Sequence, residues 1–111
     1  MRILIAANEP ALAESAARFL RIHGHDVRTT ASLAVARLGL ADPRWLPDAV
    51  IADYRVGEEP VGPLLEGWRG RGPFLVWTGR STGDVDERTG QLATAVLRKP
   101  FHPSELLDHL A

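Results

Sequence analysis

Asp48-Ala49-Val50-Ile51-Ala52-Asp53-Tyr54-Arg55 holds an unbroken apolar run between two carboxylates. A strand with one wet face alternates apolar and polar residues, whereas a strand covered on both faces need not. Ala49–Ala52 therefore reads as an interior strand of a parallel sheet sandwiched by helices. Three further runs share this character: Ile3–Ala7, Phe74–Trp77 and Ala95–Leu97. Asp26–Thr30 alternates instead and reads as a weaker edge strand.

Helical signals fill the gaps between these runs. Pro10 suits a first helical turn, Leu12, Ala16, Phe19 and Leu20 recur at helical spacing, and Gly24 can end the helix. Ser32 can cap a second helix carrying Leu33, Ala36 and Leu40, stopped by Asp42-Pro43. A short third helix is expected from about Pro63 to Arg69, with Leu64, Leu65 and Trp68 facing the sheet. Between Thr78 and Ala95 three glycines weaken the pattern, so a fourth helix there should be short or mobile. A last helix starts near Pro103 and buries Leu106, Leu107 and Leu110. Strands alternating with helices predict one α/β domain over residues 1–111, a flavodoxin-like three-layer αβα fold. Its five-stranded parallel sheet is expected in the order 2-1-3-4-5.

Composition narrows the function. The chain has 111 residues, 45% hydrophobic and 24% charged, as in an ordinary globular domain. A net charge of -1 argues against a dedicated nucleic-acid binder. With no cysteine there is no disulfide, thiolate metal site or thiol nucleophile. No apolar stretch approaches the ~20 residues that span a bilayer, so no membrane partner and a cytoplasmic location are expected.

In an open α/β sheet, function gathers at the carboxyl ends of the strands. There the sequence places Ala7, Asn8 and Glu9 after the first run, Asp53 after the third strand, Thr78 after the fourth and Lys99 after the fifth. Lys99 stands out because the other twelve basic residues are all arginine. An ammonium is a compact charge on a flexible stem, whereas a guanidinium is a planar fork. Carboxylate, hydroxyl and ammonium at one edge can receive, orient and neutralise a phosphoryl group. Asp53 would act as nucleophile, with Thr78 and Lys99 as hydrogen-bond donors.

Four segments carry a resemblance: Met1-Arg-Ile-Leu-Ile, Asp48-Ala-Val-Ile-Ala-Asp53-Tyr-Arg, Val76-Trp-Thr78-Gly and Leu97-Arg-Lys99-Pro100-Phe. In this order the chain resembles the receiver domain of bacterial response regulators along its whole length. The resemblance implies that Asp53 is the phosphoacceptor, Thr78 the switch hydroxyl and Lys99 the phosphate-contacting lysine. It implies a cis Lys99–Pro100 bond and a histidine kinase or phosphotransfer protein as phosphoryl donor. A downstream protein target would read the state, and the domain would not be an ordinary enzyme.

The departures from the family pattern are equally specific. Where the family has two adjacent acids that help hold Mg²⁺, this chain has Ala7 and Asn8. A metal site would then rest on Asn8 and Asp53, with Glu9, at the start of the first helix, as a substitute ligand. Losing one charge about 6 Å from a divalent ion costs up to about 5 kcal/mol at an effective dielectric near 20, so Mg²⁺ should bind weakly. Arg55 and Arg80, two residues beyond Asp53 and Thr78, border the pocket in this pattern and can partly replace the cation. Val96 occupies the position of the usual aromatic switch residue. The connections around the third and fourth helices are shorter than usual.

Two readings stay open: a phosphoacceptor, and a pseudo-receiver acting as a protein–protein interaction module independently of phosphorylation. A flavodoxin-like cofactor binder lacks a credible phosphate loop, since Gly79-Arg-Ser-Thr-Gly83 has no lysine and follows the wrong strand. The chain ends within the expected last helix, as a free-standing regulator or a segment of a longer protein would.

Overall fold

The computed structural model describes residues 1–79 and 85–110. Its elements in chain order are β1 (Arg2–Ala6), α1 (Pro10–Ile22), β2 (Asp26–Thr30), α2 (Leu33–Leu40), β3 (Ala49–Asp53), β4 (Arg55–Val56), β5 (Glu59–Pro60), α3 (Gly62–Trp68), β6 (Phe74–Thr78), α4 (Glu87–Leu92), β7 (Ala95–Arg98) and α5 (Ser104–Leu110). The main sheet is wholly parallel and ordered β2-β1-β3-β6-β7. Apart from the small β4–β5 hairpin, this is the expected 2-1-3-4-5 order.

Every residue of β3 and of β6 is buried, which explains their continuous apolar composition. Successive side chains enter opposite layers. Val50, Ala52, Phe74 and Val76 pack with Leu33, Ala36, Leu64 and Trp68 of α2 and α3. Ile51, Leu75 and Trp77 pack with Ala13, Ala16 and Leu20 of α1 and with Leu106 of α5. Burying one such large side chain contributes about 1.5–3 kcal/mol, so the two layers supply most of the drive to fold.

The helix boundaries follow local chemistry. Pro10 opens α1, and Gly24 with φ +90° turns the chain into β2. The Ser32 hydroxyl accepts the Val35 N–H and caps α2. Asp86 caps α4 through the Thr89 N–H, and α4 is only six residues long. At α5, His102 N–H donates to Glu105 while Ser104 N–H donates to His102 Nδ1, a reciprocal cap. Trp45 packs against the β2 edge, with its indole N–H on Asp26 and the Arg28 guanidinium over its ring. Among the described residues, no helix is long and apolar enough to cross a membrane.

Sheet register sets the position of the site. Ala52 pairs with Ala6, Asp53 with Trp77, and Thr78 with Arg98. The residues just past these pairs are therefore brought to one rim although they are far apart in sequence. The Lys99 N–H donates to the Thr78 carbonyl at 2.8 Å, extending the β6–β7 ladder by one residue. The Lys99–Pro100 peptide bond is cis.

Candidate functional site at the carboxyl edge of the sheet

Asp53 ends β3 with its carboxylate almost wholly withdrawn from solvent, the residue being 4% exposed. Such a charge is costly unless it is paired and hydrogen-bonded. Both oxygens find partners: Oδ1 accepts from Lys99 Nζ at 2.8 Å, and Oδ2 accepts the Asn8 backbone N–H at 2.8 Å. The first contact joins residues 46 positions apart. Thr78, also buried, ends the adjacent strand and lines the same cleft.

This cleft measures about 270 Å³ and is bounded by Asn8, Glu9, Asp53, Tyr54, Arg55, Thr78, Gly79 and Lys99. It is thus large enough for a tetrahedral oxyanion and polar at its floor.

Lys99 carries two carboxylates at once. Its ammonium donates to Glu9 Oε1 at 2.7 Å as well as to Asp53. Burial of the ammonium acts to lower its pKa. The hydrogen bonds and charges of Asp53 and Glu9 outweigh that cost and hold Lys99 above the ordinary lysine value. Lys99 is therefore protonated at neutral pH and available as an electrostatic donor.

Asn8 and Arg55 lie at the rim in a particular way. The Asn8 amide donates to the Arg55 carbonyl and accepts the Gly57 N–H, so its side chain clamps the β4–β5 hairpin to the β1 end. Arg55 donates to the Glu58 carbonyl at 3.4 Å and lies 5.9 Å from the Tyr54 ring centre. Arg80 and most of Gly79–Gly83 lie outside the described residues. Ala7 is buried, with its N–H on the Thr30 carbonyl. Val96 is half-buried beside Val76 in the sheet.

The donor set fits a divalent cation poorly. Asp53 supplies one carboxylate already on Lys99, and the Asn8 carbonyl oxygen is engaged by Gly57. Glu9 is turned to Lys99. Among the described residues no group of three His, Asp or Glu is arranged to hold a metal ion.

One functional connection escapes sequence reading. The Tyr54 hydroxyl donates to Asp86 Oδ1 at 2.7 Å and accepts the Asp86 N–H at 3.2 Å. Asp86 also takes the Thr89 hydroxyl at 2.7 Å, and these bonds, Thr89 first and Tyr54 second, lower its pKa below the usual aspartate value. The residue after the phosphoacceptor candidate is thus tied to the cap of α4. The spacing Asp86-x-x-Thr89 before a helix was the available cap signal. Nothing in the sequence named Tyr54 as its partner.

No protein-family model matches the sequence, and no curated protein matches it. Solved structures do match, across the whole chain. The chemotaxis response regulator CheY4 of Vibrio cholerae superposes with a TM-score of 0.82 at 21% identity, covering 98% of this chain and 94% of that one. The non-phosphorylated HemR receiver domain of Leptospira biflexa gives 0.80 at 26% identity, covering 98% and 90%. A Burkholderia pseudomallei response regulator, solved with a phosphorylated aspartic acid, a calcium ion and citrate, gives 0.82 at 20% identity, covering 99% and 66%. The class defined by this sheet is the flavodoxin-like α/β fold. Within it, the chain has the CheY-like fold of response-regulator receiver domains from end to end.

Proposed function

We propose that the chain is a receiver domain of two-component phosphorelay signalling, accepting a phosphoryl group on Asp53 from a histidine kinase or phosphotransfer protein. The observation that carries this reading is the direct contact of Lys99 Nζ with Asp53 Oδ1. An aspartyl nucleophile needs a cation beside it to screen an incoming dianion. In transfer, an Asp53 oxygen forms a bond to phosphorus while the donor's P–N or P–O bond breaks, and the leaving group keeps the bonding electron pair. Lys99 and the Asn8 N–H stabilise charge on the carboxylate and on the phosphoryl oxygens. Thr78, buried at the end of the adjacent strand, would follow the new charge as the switch hydroxyl. The likeness to a regulator solved with a phosphorylated aspartate supports the same reading.

Weak Mg²⁺ binding at most is proposed: the ion would meet Asp53, but the Asn8 oxygen is held by the Gly57 N–H and no acidic pair stands beside it. Arg55 at the rim is proposed as a partial electrostatic substitute, and Arg80 is proposed with it from the sequence pattern. No nucleic acid or membrane partner is proposed, and a cytoplasmic role beside a downstream protein target follows from the signalling reading.

A second reading has its own support. With Asn8 committed to the hairpin and Lys99 already neutralised by two acids, the same fold can act as a pseudo-receiver, an interaction module whose state does not depend on phosphorylation. The two part on one experiment. The protein is incubated with a small-molecule phosphodonor, with and without Mg²⁺, and its intact mass is recorded beside Asp53→Ala. The phosphoacceptor reading expects one phosphoryl adduct in the wild type and none in the variant. Absence of an adduct even at high Mg²⁺ favours the pseudo-receiver.

A further inference from the structure

Glu9 stands at the cap position of α1, yet its side chain makes no cap hydrogen bond there. A carboxylate at a helix N-terminus would ordinarily turn to the free N–H groups. This one instead reaches Lys99, 2.7 Å from the ammonium, while remaining 61% exposed. It is therefore a carboxylate held by one ion pair and surrounded by water, and such exposed pairs are easily exchanged.

Its place is the important point. Glu9 and Lys99 border both the polar cleft over Asp53 and an adjoining apolar cleft of about 500 Å³ lined by Leu12, Pro100 and Phe101. An ammonium has three N–H donors. One goes to Asp53 and one to Glu9. A tetrahedral oxyanion arriving at Asp53 needs a donor from this same nitrogen, and it meets a negative charge already bonded there.

We infer that Glu9 is a built-in competitor for the anion site: its carboxylate holds one of the Lys99 N–H donors and sets a negative charge where an arriving phosphoryl oxygen would be drawn. The inference rests on the phosphoacceptor reading for its biological use, although the competition itself is a property of the Glu9–Lys99 pair. The role is inhibitory. Glu9 lowers the affinity of the site for every oxyanion, through charge repulsion and through its hold on the ammonium. This differs from metal ligation, in which the same carboxylate would aid the anion.

Having a single lysine makes the test direct. Protein labelled with ¹³C-lysine gives one side-chain signal, followed during separate additions of beryllofluoride and of sulfate to the wild type and Glu9→Gln. The substitution keeps the size of the side chain and removes its charge, and the exposed position should leave folding intact, which circular dichroism checks. The expected result is a half-saturating concentration about two- to fivefold lower in Glu9→Gln for both anions, the range for loss of one solvent-facing ion pair. Equal or weaker sulfate binding in the variant overturns the inference, as does a lysine signal that no anion moves in either protein. If sulfate binds the variant more tightly but beryllofluoride binds neither protein at Asp53, the Glu9 inference stands and the phosphoacceptor reading falls.

Discussion

Lys99→Arg keeps the positive charge and yet should lower phosphoryl acceptance at least about tenfold, measured as the rate of adduct formation with a small phosphodonor. Two carboxylate oxygens converge on one nitrogen, at 2.7 and 2.8 Å. A planar fork would bind those acids in pairs and hold them, instead of offering one movable donor to an arriving oxyanion. Lys99→Ala should be worse, at about 10²-fold, because a positioned electrostatic donor is lost outright. The two variants separate on stability. Arginine should leave the folding free energy within about 1 kcal/mol of the wild type, and alanine should cost about 2 kcal/mol. That is less than for a deeply buried pair, because the cleft is open and Asp53 keeps the Asn8 N–H. Chemical denaturation of both variants checks this ordering.

Gly72→Ala should produce the largest loss of stability, about 3 kcal/mol, with no change in the chemistry of Asp53. Gly72 lies in the turn between α3 and β6 with φ +136°, a conformation that L side chains rarely adopt. A Cβ there would sit 2.4 Å from the Asp48 carbonyl oxygen, which is backbone and cannot rotate away. The Gly72 carbonyl also accepts the Trp68 indole N–H at 3.0 Å, and the next carbonyl, Pro73, accepts the Val50 N–H. A shift here therefore loosens α3 and the start of the β3–β6 ladder together. A domain stable by about 5–15 kcal/mol would lose a large fraction of that margin. The turn is at the opposite end of the sheet from Asp53, so under folding conditions the variant should accept a phosphoryl group at the wild-type rate. A denaturation midpoint matching the wild type would contradict the close approach.

Three strands, β1, β3 and β6, were legible because both their faces are covered, and β2 because it alternates. That difference writes itself as continuous against alternating hydrophobicity. The apolar run Ala95–Leu97 read as a fourth covered strand, but β7 is the other edge of the sheet and only Leu97 in it is buried. Sheet order followed from the alternation of strands and helices. The cluster followed in turn, since Asp53, Thr78 and Lys99 each end a strand whose register brings them to one rim. What stayed hidden depends on side chains crossing between elements. The Asn8 amide bridging Arg55 and Gly57, and the Tyr54 hydroxyl on Asp86, are contacts across 47 to 49 and 32 positions with no periodic trace. The β4–β5 hairpin is two residues per strand, too short for any pattern to register. Glu9 was visible as an acid at a helix start. Its choice of Lys99 over the helix end is a three-dimensional fact.

These hidden contacts change how the site can work. In the sequence Asn8 offers an oxygen to a metal, whereas in the fold that amide holds a hairpin. Tyr54 ties the strand bearing Asp53 to the cap of α4, a route from the site to that helix that does not use Val96. Arg55 contributes through its carbonyl to the clamp and through its charge to the rim.

The ¹³C signal of Lys99 followed against pH reports whether the chain's one lysine ammonium rests on the Asp53 carboxylate. In the wild type Lys99 should titrate above the ordinary lysine value of 10.5. In Asp53→Asn it should fall toward that value. Because the folded value is the raised one, the pair's contribution to stability should be complete below about pH 10.5 and lost as pH rises through the folded pKa. A wild-type pKa at or below that of free lysine, unmoved by Asp53→Asn, would contradict the contact on which the proposed function stands.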